Sequence, residues 1–206
     1  VLFRSCSLVM LDRQGRPVTV STTGDDAWNV VMWADHRAIA EAEEITATGH
    51  RVLTHVGGTM SPEMQVPKLL WLKRNLQKAW PRYALALDLA DFLAWKATGR
   101  HAVSACTVTC KWTYLNHEPR GWPDDLFARL GLADLRTRAG LPDRAEAIGT
   151  PAGRLTAAAA TELGLTPDCV VGIGAIDAHA GGIGMLARYG ADELDARIAM
   201  IAGTSS

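Results

Sequence analysis

Residues whose types could do chemistry gather in four places. The first is the stretch from Val170 to Gly184, where a short apolar run delivers one carboxylate, Asp177, into glycines and small residues. A lone acid at the end of a buried strand, with space beside it, can act as a general base. The same pattern also reads as a strand, a turn and a Gly-rich helix with Asp177 as its N-cap. The second is Lys111, which closes an otherwise uncharged run from Ala102. Lysine is rarely buried unpaired, so Lys111 is expected either to snorkel outward or to meet an anion or a sugar hydroxyl. Third, Trp33-Ala34-Asp35-His36-Arg37 sets three hydrogen-bonding side chains directly after a strand. The competing reading is a helix cap by Asp35 with His36 and Arg37 in solvent. Fourth, Gly203-Thr204-Ser205-Ser206 offers amides and hydroxyls at a strand end, a turn able to approach phosphate oxygens or an ordinary hairpin turn.

Several chemistries are excluded. There is no Walker A run, no Gly-x-Ser-x-Gly elbow and no His-Glu-x-x-His helix, and Gly172-Ile173-Gly174 lacks the third glycine of a dinucleotide fingerprint. The 206 residues carry 21 basic and 22 acidic side chains, a net charge of −1, which argues against nucleic-acid or anionic-membrane partners. No apolar run approaches the roughly 18 residues of a membrane span, and no signal peptide is evident. The four cysteines, Cys6, Cys106, Cys110 and Cys169, read as reduced, mostly buried thiols of a cytoplasmic protein, without zinc.

These candidates need elements to hold them. Cys6–Leu11 and Pro17–Ser21 read as a β-hairpin around Gly15, and Trp28–Trp33 as a third strand. A helix through Ala38, Ala42 and Ile45 closes at Gly49, and residues 50–56 make another short helix. Pro67 opens an amphipathic helix over 68–78 with Leu69, Leu72 and Leu76 on one face. A strand over 83–87 leads to a helix over 90–98, capped by Asp88 or Asp91. The middle, 102–151, is irregular apart from a short helix over 125–130. A helix over 156–163, the strand at 170, a helix over 178–186, a polar linker over 190–196 and a last strand follow. Strands first as a meander and then alternating with helices predict an α/β fold with a mixed sheet, antiparallel at its start. Both ends read as cut. Residues 1–5 include Leu2-Phe3-Arg4-Ser5, the translation of a common sequencing adapter, and are expected to be non-native.

The order of these motifs resembles the FGGY carbohydrate kinases. The hairpin, Trp33 to Arg37, Lys68 to Asn75, Asp88 to Leu93, Gly174 to Gly181 and Gly203 to Ser205 follow one another as in that family. The Trp-x-Asp-His-Arg form and Cys106 to Trp112 are most similar to its ribulokinase, or pentulose kinase, branch. The resemblance implies an actin-like, ribonuclease-H-like fold of two domains. Residues 6–192 would be most of the N-terminal, sugar-binding domain, and 193–206 the start of the ATP-binding one. It further implies Asp177 as catalytic base, Lys111, Asp35, His36 and Arg37 near the sugar, and Gly203, Thr204 and Ser205 at the ATP phosphates. ATP and Mg²⁺ would be required, with a small sugar as the other partner and a homo-oligomer possible. Two departures stand out: the Asp-x-Gly-Thr-type phosphate turn expected near residues 1–5 is missing, and Gln65 occupies a place where many members carry Pro, Ser or Thr. The chain by itself is therefore expected to be inactive and marginally stable. Two other functions remain open, a non-catalytic sugar-binding module of the same fold and a xylulose or glycerol kinase.

Overall fold

In Leu8-Val9-Met10-Leu11 every residue is apolar, so both faces of any strand they form must be covered. A computed structural model, which describes residues 6–201, places them as β1 (Leu8–Leu11) in the centre of a three-stranded sheet. β2 (Val30–Val31) and β3 (Leu85–Asp88) flank it, both antiparallel, with Leu8 opposite Val31 on one side and Asp88 on the other. Leu8 and Met10 face the main core, whereas Val9 and Leu11 pack with Leu87, Phe92 and Trp95 on the opposite face.

The second arm of the expected hairpin is only a bridge, Leu11 to Pro17. Pro17 has no N–H to give a ladder, and Thr19 donates its own to Asp26 Oδ1 at 2.9 Å. Val18 and Val20 are nonetheless buried, so the segment serves the core without completing the sheet.

Helix α1 (Ile39–Ala47) lies against α2 (Gln65–Asn75), with a tight helical turn at Arg51–His55 between them. α2 buries Val66, Leu69, Leu70 and Leu72, each side chain contributing roughly 1.5–3 kcal/mol. β3 runs without a loop into α3 (Leu89–Thr98), which Gly99 ends in a left-handed conformation at φ +71°. The middle holds α4 (Ala105–Lys111), α5 (Asp124–Arg129) and α6 (Leu135–Ala139), of which α4 and α6 were not expected. A separate antiparallel pair, β4 (Pro151–Arg154) and β5 (Val170–Gly172), encloses α7 (Ala157–Leu163), and α8 (Asp177–Leu186) follows. The strand pairs described are antiparallel, and parallel pairing is confined to the bridge between Ser104 and Glu146.

Two expectations about the chain's end need correction. The polar linker is a tight helical turn, Ala191–Ala196. Residues 198–201 form no strand, because no described strand offers them a ladder; Ile201 and Ala199 instead lie over Gly181 and Gly182 of α8. The phosphate turn at Gly203, Thr204 and Ser205, like residues 1–5, lies outside the described residues.

Gly140 ends α6 at φ +65°, and a methyl group there would meet the Ala84 carbonyl oxygen at 2.8 Å. Gly131 has a similar φ of +73° but open space around it. Gly140→Ala should therefore destabilise by about 2–3 kcal/mol and Gly131→Ala by about 1 kcal/mol, measured as urea midpoints. Equal losses would show that φ alone, and not the close approach to β3, limits position 140.

Candidate active site

Asp177 is the first residue of α8. Ile176 is the N-cap and makes no side-chain cap bond, so Asp177 is not the N-cap that the pattern also allowed. Its Oδ1 accepts the Ala178 N–H at 3.0 Å, its side chain is half-buried, and no described cation pairs with it. The turn before it is gripped by α4. Ser104 Oγ donates to the Gly174 carbonyl at 2.7 Å, the Ile176 N–H points at Cys106 Sγ at 3.5 Å, and Cys106 Sγ lies 3.0 Å from His179 Nδ1.

The other end of α4 carries Lys111. Its side chain lines a cleft of about 870 Å³ together with Met64, Cys106, Cys110, Asn116 and His179. Lys111 and Asp177 both act on the thiol of Cys6. Burial drives that thiol up to about 12, Lys111 opposes the rise, and Asp88, Cys110 and Asp177 add to it. All four cysteines are free; Cys6 is buried, but Cys106 and Cys110 are half-buried and Cys169 is exposed, more open than expected.

Behind the cleft is a buried polar layer that the sequence reading did not identify. Asp88 heads α3 without capping it; its carboxylate takes hydrogen bonds from Gln65 Nε2 and from Trp112 Nε1, the latter at 2.7 Å. Asp91 accepts the Ser104 N–H at 3.0 Å and the Thr107 hydroxyl at 2.8 Å. Burial pushes the Asp88 carboxyl up to about 7, helped by Asp91 and resisted by Trp112, Gln65 and Lys111. Asp91 rises to about 6 for the same first reason. Lys68 is fully buried, and its ammonium donates to the carbonyls of Met32 at 3.0 Å and Trp33 at 2.8 Å. Burial lowers it to about 8, with Lys111 pressing the same way and Asp35 and Asp88 holding it up. Gln65 also donates to the Cys6 carbonyl at 2.9 Å, while its Oε1 has no hydrogen-bond partner among the described residues.

The Asp35–Arg37 corner is self-contained. Arg37 Nη2 donates to Asp35 Oδ2 at 2.7 Å, Nη1 to the Val20 carbonyl at 2.7 Å, and the guanidinium lies 4.9 Å from the Trp71 ring centre. Burial works to raise the Asp35 carboxyl, but the Arg37 hydrogen bonds outweigh it and hold it low. His36 is exposed and bonds through Nε2 to Glu63 at 3.0 Å. None of the three lines the Lys111 cleft. Asp35 and Arg37 spend their charges on each other, and the corner helps hold the strand end whose carbonyls receive Lys68.

This fold is that of known sugar kinases. A ligand-bound xylulose kinase from Lactobacillus acidophilus superposes with a TM-score of 0.67 at 19% identity, over 88% of this chain and 34% of that one. A gluconate kinase from the same organism gives 0.68 at 18% identity, over the same shares. The model of the N-terminal domain of the FGGY family of carbohydrate kinases matches residues 5–184, and the chain belongs to that family. An FGGY carbohydrate kinase domain-containing protein of Danio rerio is 51% identical over 98% of this chain and 39% of its own length. A D-ribulokinase of Saccharomyces cerevisiae is 36% identical over 89% of this chain and 28% of its own. The chain thus spans about two-fifths or less of these relatives.

The buried carboxylates give the fold a measurable pH dependence. An acid whose folded value lies above its unfolded value of about 4 holds its proton more tightly when folded. That contribution is complete below about pH 4 and is lost as pH rises towards the folded value, about 7 for Asp88. Stability should fall between pH 4.5 and 7 along the ~3-unit window this implies, and Asp88→Asn should make the fall shallower while Asp91 keeps its share. Urea midpoints across that range check it; an unchanged slope in the variant would show that Asp88 is ionised throughout.

Proposed function

We propose that this chain is part of an ATP-dependent kinase that phosphorylates a ketopentose, ribulose before xylulose, with Asp177 as general base. The observation that carries the reading is the half-buried carboxylate at the head of α8, whose one hydrogen bond among the described residues comes from the Ala178 N–H, set beside the helix whose far end puts Lys111 into the cleft. Family membership supplies the reaction class, and the similarity to the yeast D-ribulokinase favours ribulose.

In this reaction the sugar hydroxyl oxygen forms a bond to the γ-phosphorus of ATP as the bond to the β,γ-bridging oxygen breaks. ADP leaves, and the hydroxyl proton passes to Asp177. Positioning and charge stabilisation do most of such work, and a placed base contributes typically about 10²–10⁴-fold. Lys111 would hold a sugar hydroxyl. The Asp35-His36-Arg37 corner would support the site from behind, with exposed His36 the member able to reach a ligand. The described residues contain no group of three His, Cys, Asp or Glu able to hold a metal. Mg²⁺ would come with the ATP phosphates, whose candidate turn is Gly203, Thr204 and Ser205.

In the full-length protein, Asp177→Asn should lower turnover at least about 10²-fold while sugar binding, followed by calorimetry, changes little. Turnover within about tenfold of the parent would remove Asp177 from the role of base. A panel of ribulose, xylulose, gluconate and glycerol should show highest kcat/KM for ribulose, and a clear preference for glycerol would overturn the substrate class.

A further inference from the structure

We propose that Ser104 is a positioning residue for Asp177, its hydroxyl fixing the turn that presents the carboxylate, so that α4 sets the spacing between Asp177 and Lys111. This rests on the reading of Asp177 as base and Lys111 as sugar ligand.

Ser104 is fully buried, and its N–H, hydroxyl and carbonyl are all hydrogen-bonded. Its N–H goes to Asp91 Oδ1 at 3.0 Å. Its oxygen accepts the Cys106 N–H at 3.2 Å, capping α4. The Gly174 carbonyl can only accept, so the Ser104 hydroxyl proton must point to it, across 2.7 Å. The next two contacts come from the same turn of α4, since Cys106 Sγ meets the Ile176 N–H and His179 Nδ1. Among the described residues, the side chains that hydrogen-bond the segment at residues 174, 176 and 179, on both sides of Asp177, are those of Ser104 and Cys106. Of these bonds, the one from Ser104 is the shortest and the only one between oxygen atoms.

The anchor behind Ser104 is rigid. Asp91 is buried, and the single hydroxyl proton of Thr107 is shared between its other oxygen at 2.8 Å and the Ser104 carbonyl at 2.9 Å. Gly174 packs on α3, where an added methyl would meet Ala90 Cβ at 3.4 Å. From this fixed end α4 extends seven residues to Lys111, about 10 Å along its axis. One short helix thus holds the base at one end and the sugar-binding lysine at the other. Removing the Ser104 hydroxyl frees the Gly174 carbonyl and lets the turn drift, and a shift of about 1 Å at a reacting group can cost about 10²-fold in rate.

The test is steady-state kinetics on the full-length protein. Ser104→Ala should lower kcat about 10–100-fold with KM for the sugar within about threefold, and Ser104→Thr, which restores the donor, should return kcat to within about threefold of the parent. Loss of a helix cap without loss of positioning is given by Thr156→Ala, because Thr156 caps α7 by accepting the Ala159 N–H at 3.1 Å. It should lower the melting temperature as Ser104→Ala does and leave kcat unchanged. A Ser104→Ala protein with parental kcat and a lowered melting temperature would make Ser104 structural only and overturn the proposal. Should the alanine variant not fold, Ser104→Cys keeps the volume with a weak donor; kcat at least about fivefold down supports the proposal and parental kcat overturns it. Asp177→Asn, assayed alongside, separates the two failures. If it keeps parental kcat, the base and its positioning fall together; if it is inactive while Ser104→Ala is not impaired, only the positioning falls.

Discussion

Burying Asp88 and Asp91 one turn apart obliges the chain to bring donors to them, since a carboxylate left unpaired in the interior costs several kcal/mol. The donors come from three separate places: Gln65 at the start of α2, Trp112 just beyond α4, and Ser104 with Thr107 at the start of α4. Satisfying two acids therefore fixes where α2 and α4 lie on the sheet. That in turn fixes the cleft, because Met64 precedes α2 while Cys106, Cys110 and Lys111 belong to α4. Cost and consequence are linked: both carboxyls are pushed towards protonation by burial, and the fold retains them where they can organise its polar layer.

The proposed base is treated differently. Asp177 follows a turn held by contacts from Ser104 and Cys106 and, among the described residues, receives at its own carboxylate one backbone N–H. It is held by its neighbours and left available. Lys111 is likewise presented on the cleft wall, while Lys68 is consumed by two backbone carbonyls. Two lysines, 43 positions apart in sequence, divide structural and exposed duties on one side of the sheet, and their mutual repulsion adds to the burial that lowers Lys68.

Much of this was legible in the sequence, for physical reasons that differ between elements. α2, α3 and α7 announce themselves through apolar spacing and through the turn residues at their ends, and the family signature fixes their order. The half-formed hairpin was less visible, because its apolar residues are buried as expected while Pro17 has no N–H to give and the Thr19 N–H goes to the Asp26 side chain instead of a ladder. α4 was missed because Ala105-Cys106-Thr107-Val108-Thr109-Cys110 is short and rich in β-branched and small residues, whose propensity for helix is poor; tertiary bonds from Asp91 override it. Asp88 is the N-cap residue of α3, one of the two positions the sequence offers, but its side chain bonds Gln65 and Trp112 instead of the helix, contacts to which a sequence gives no distance. The Asp35-His36-Arg37 corner shows the same limit in reverse: three reactive-looking side chains, two of which neutralise each other.

The proposal that this chain is part of a sugar kinase with Asp177 as its base is tested most directly by phosphorus-31 NMR on the full-length protein with MgATP and ribulose. A new phosphomonoester signal should appear in equal amount to ADP, with no matching rise in inorganic phosphate. ADP accompanied only by inorganic phosphate, or ATP left intact, would contradict it.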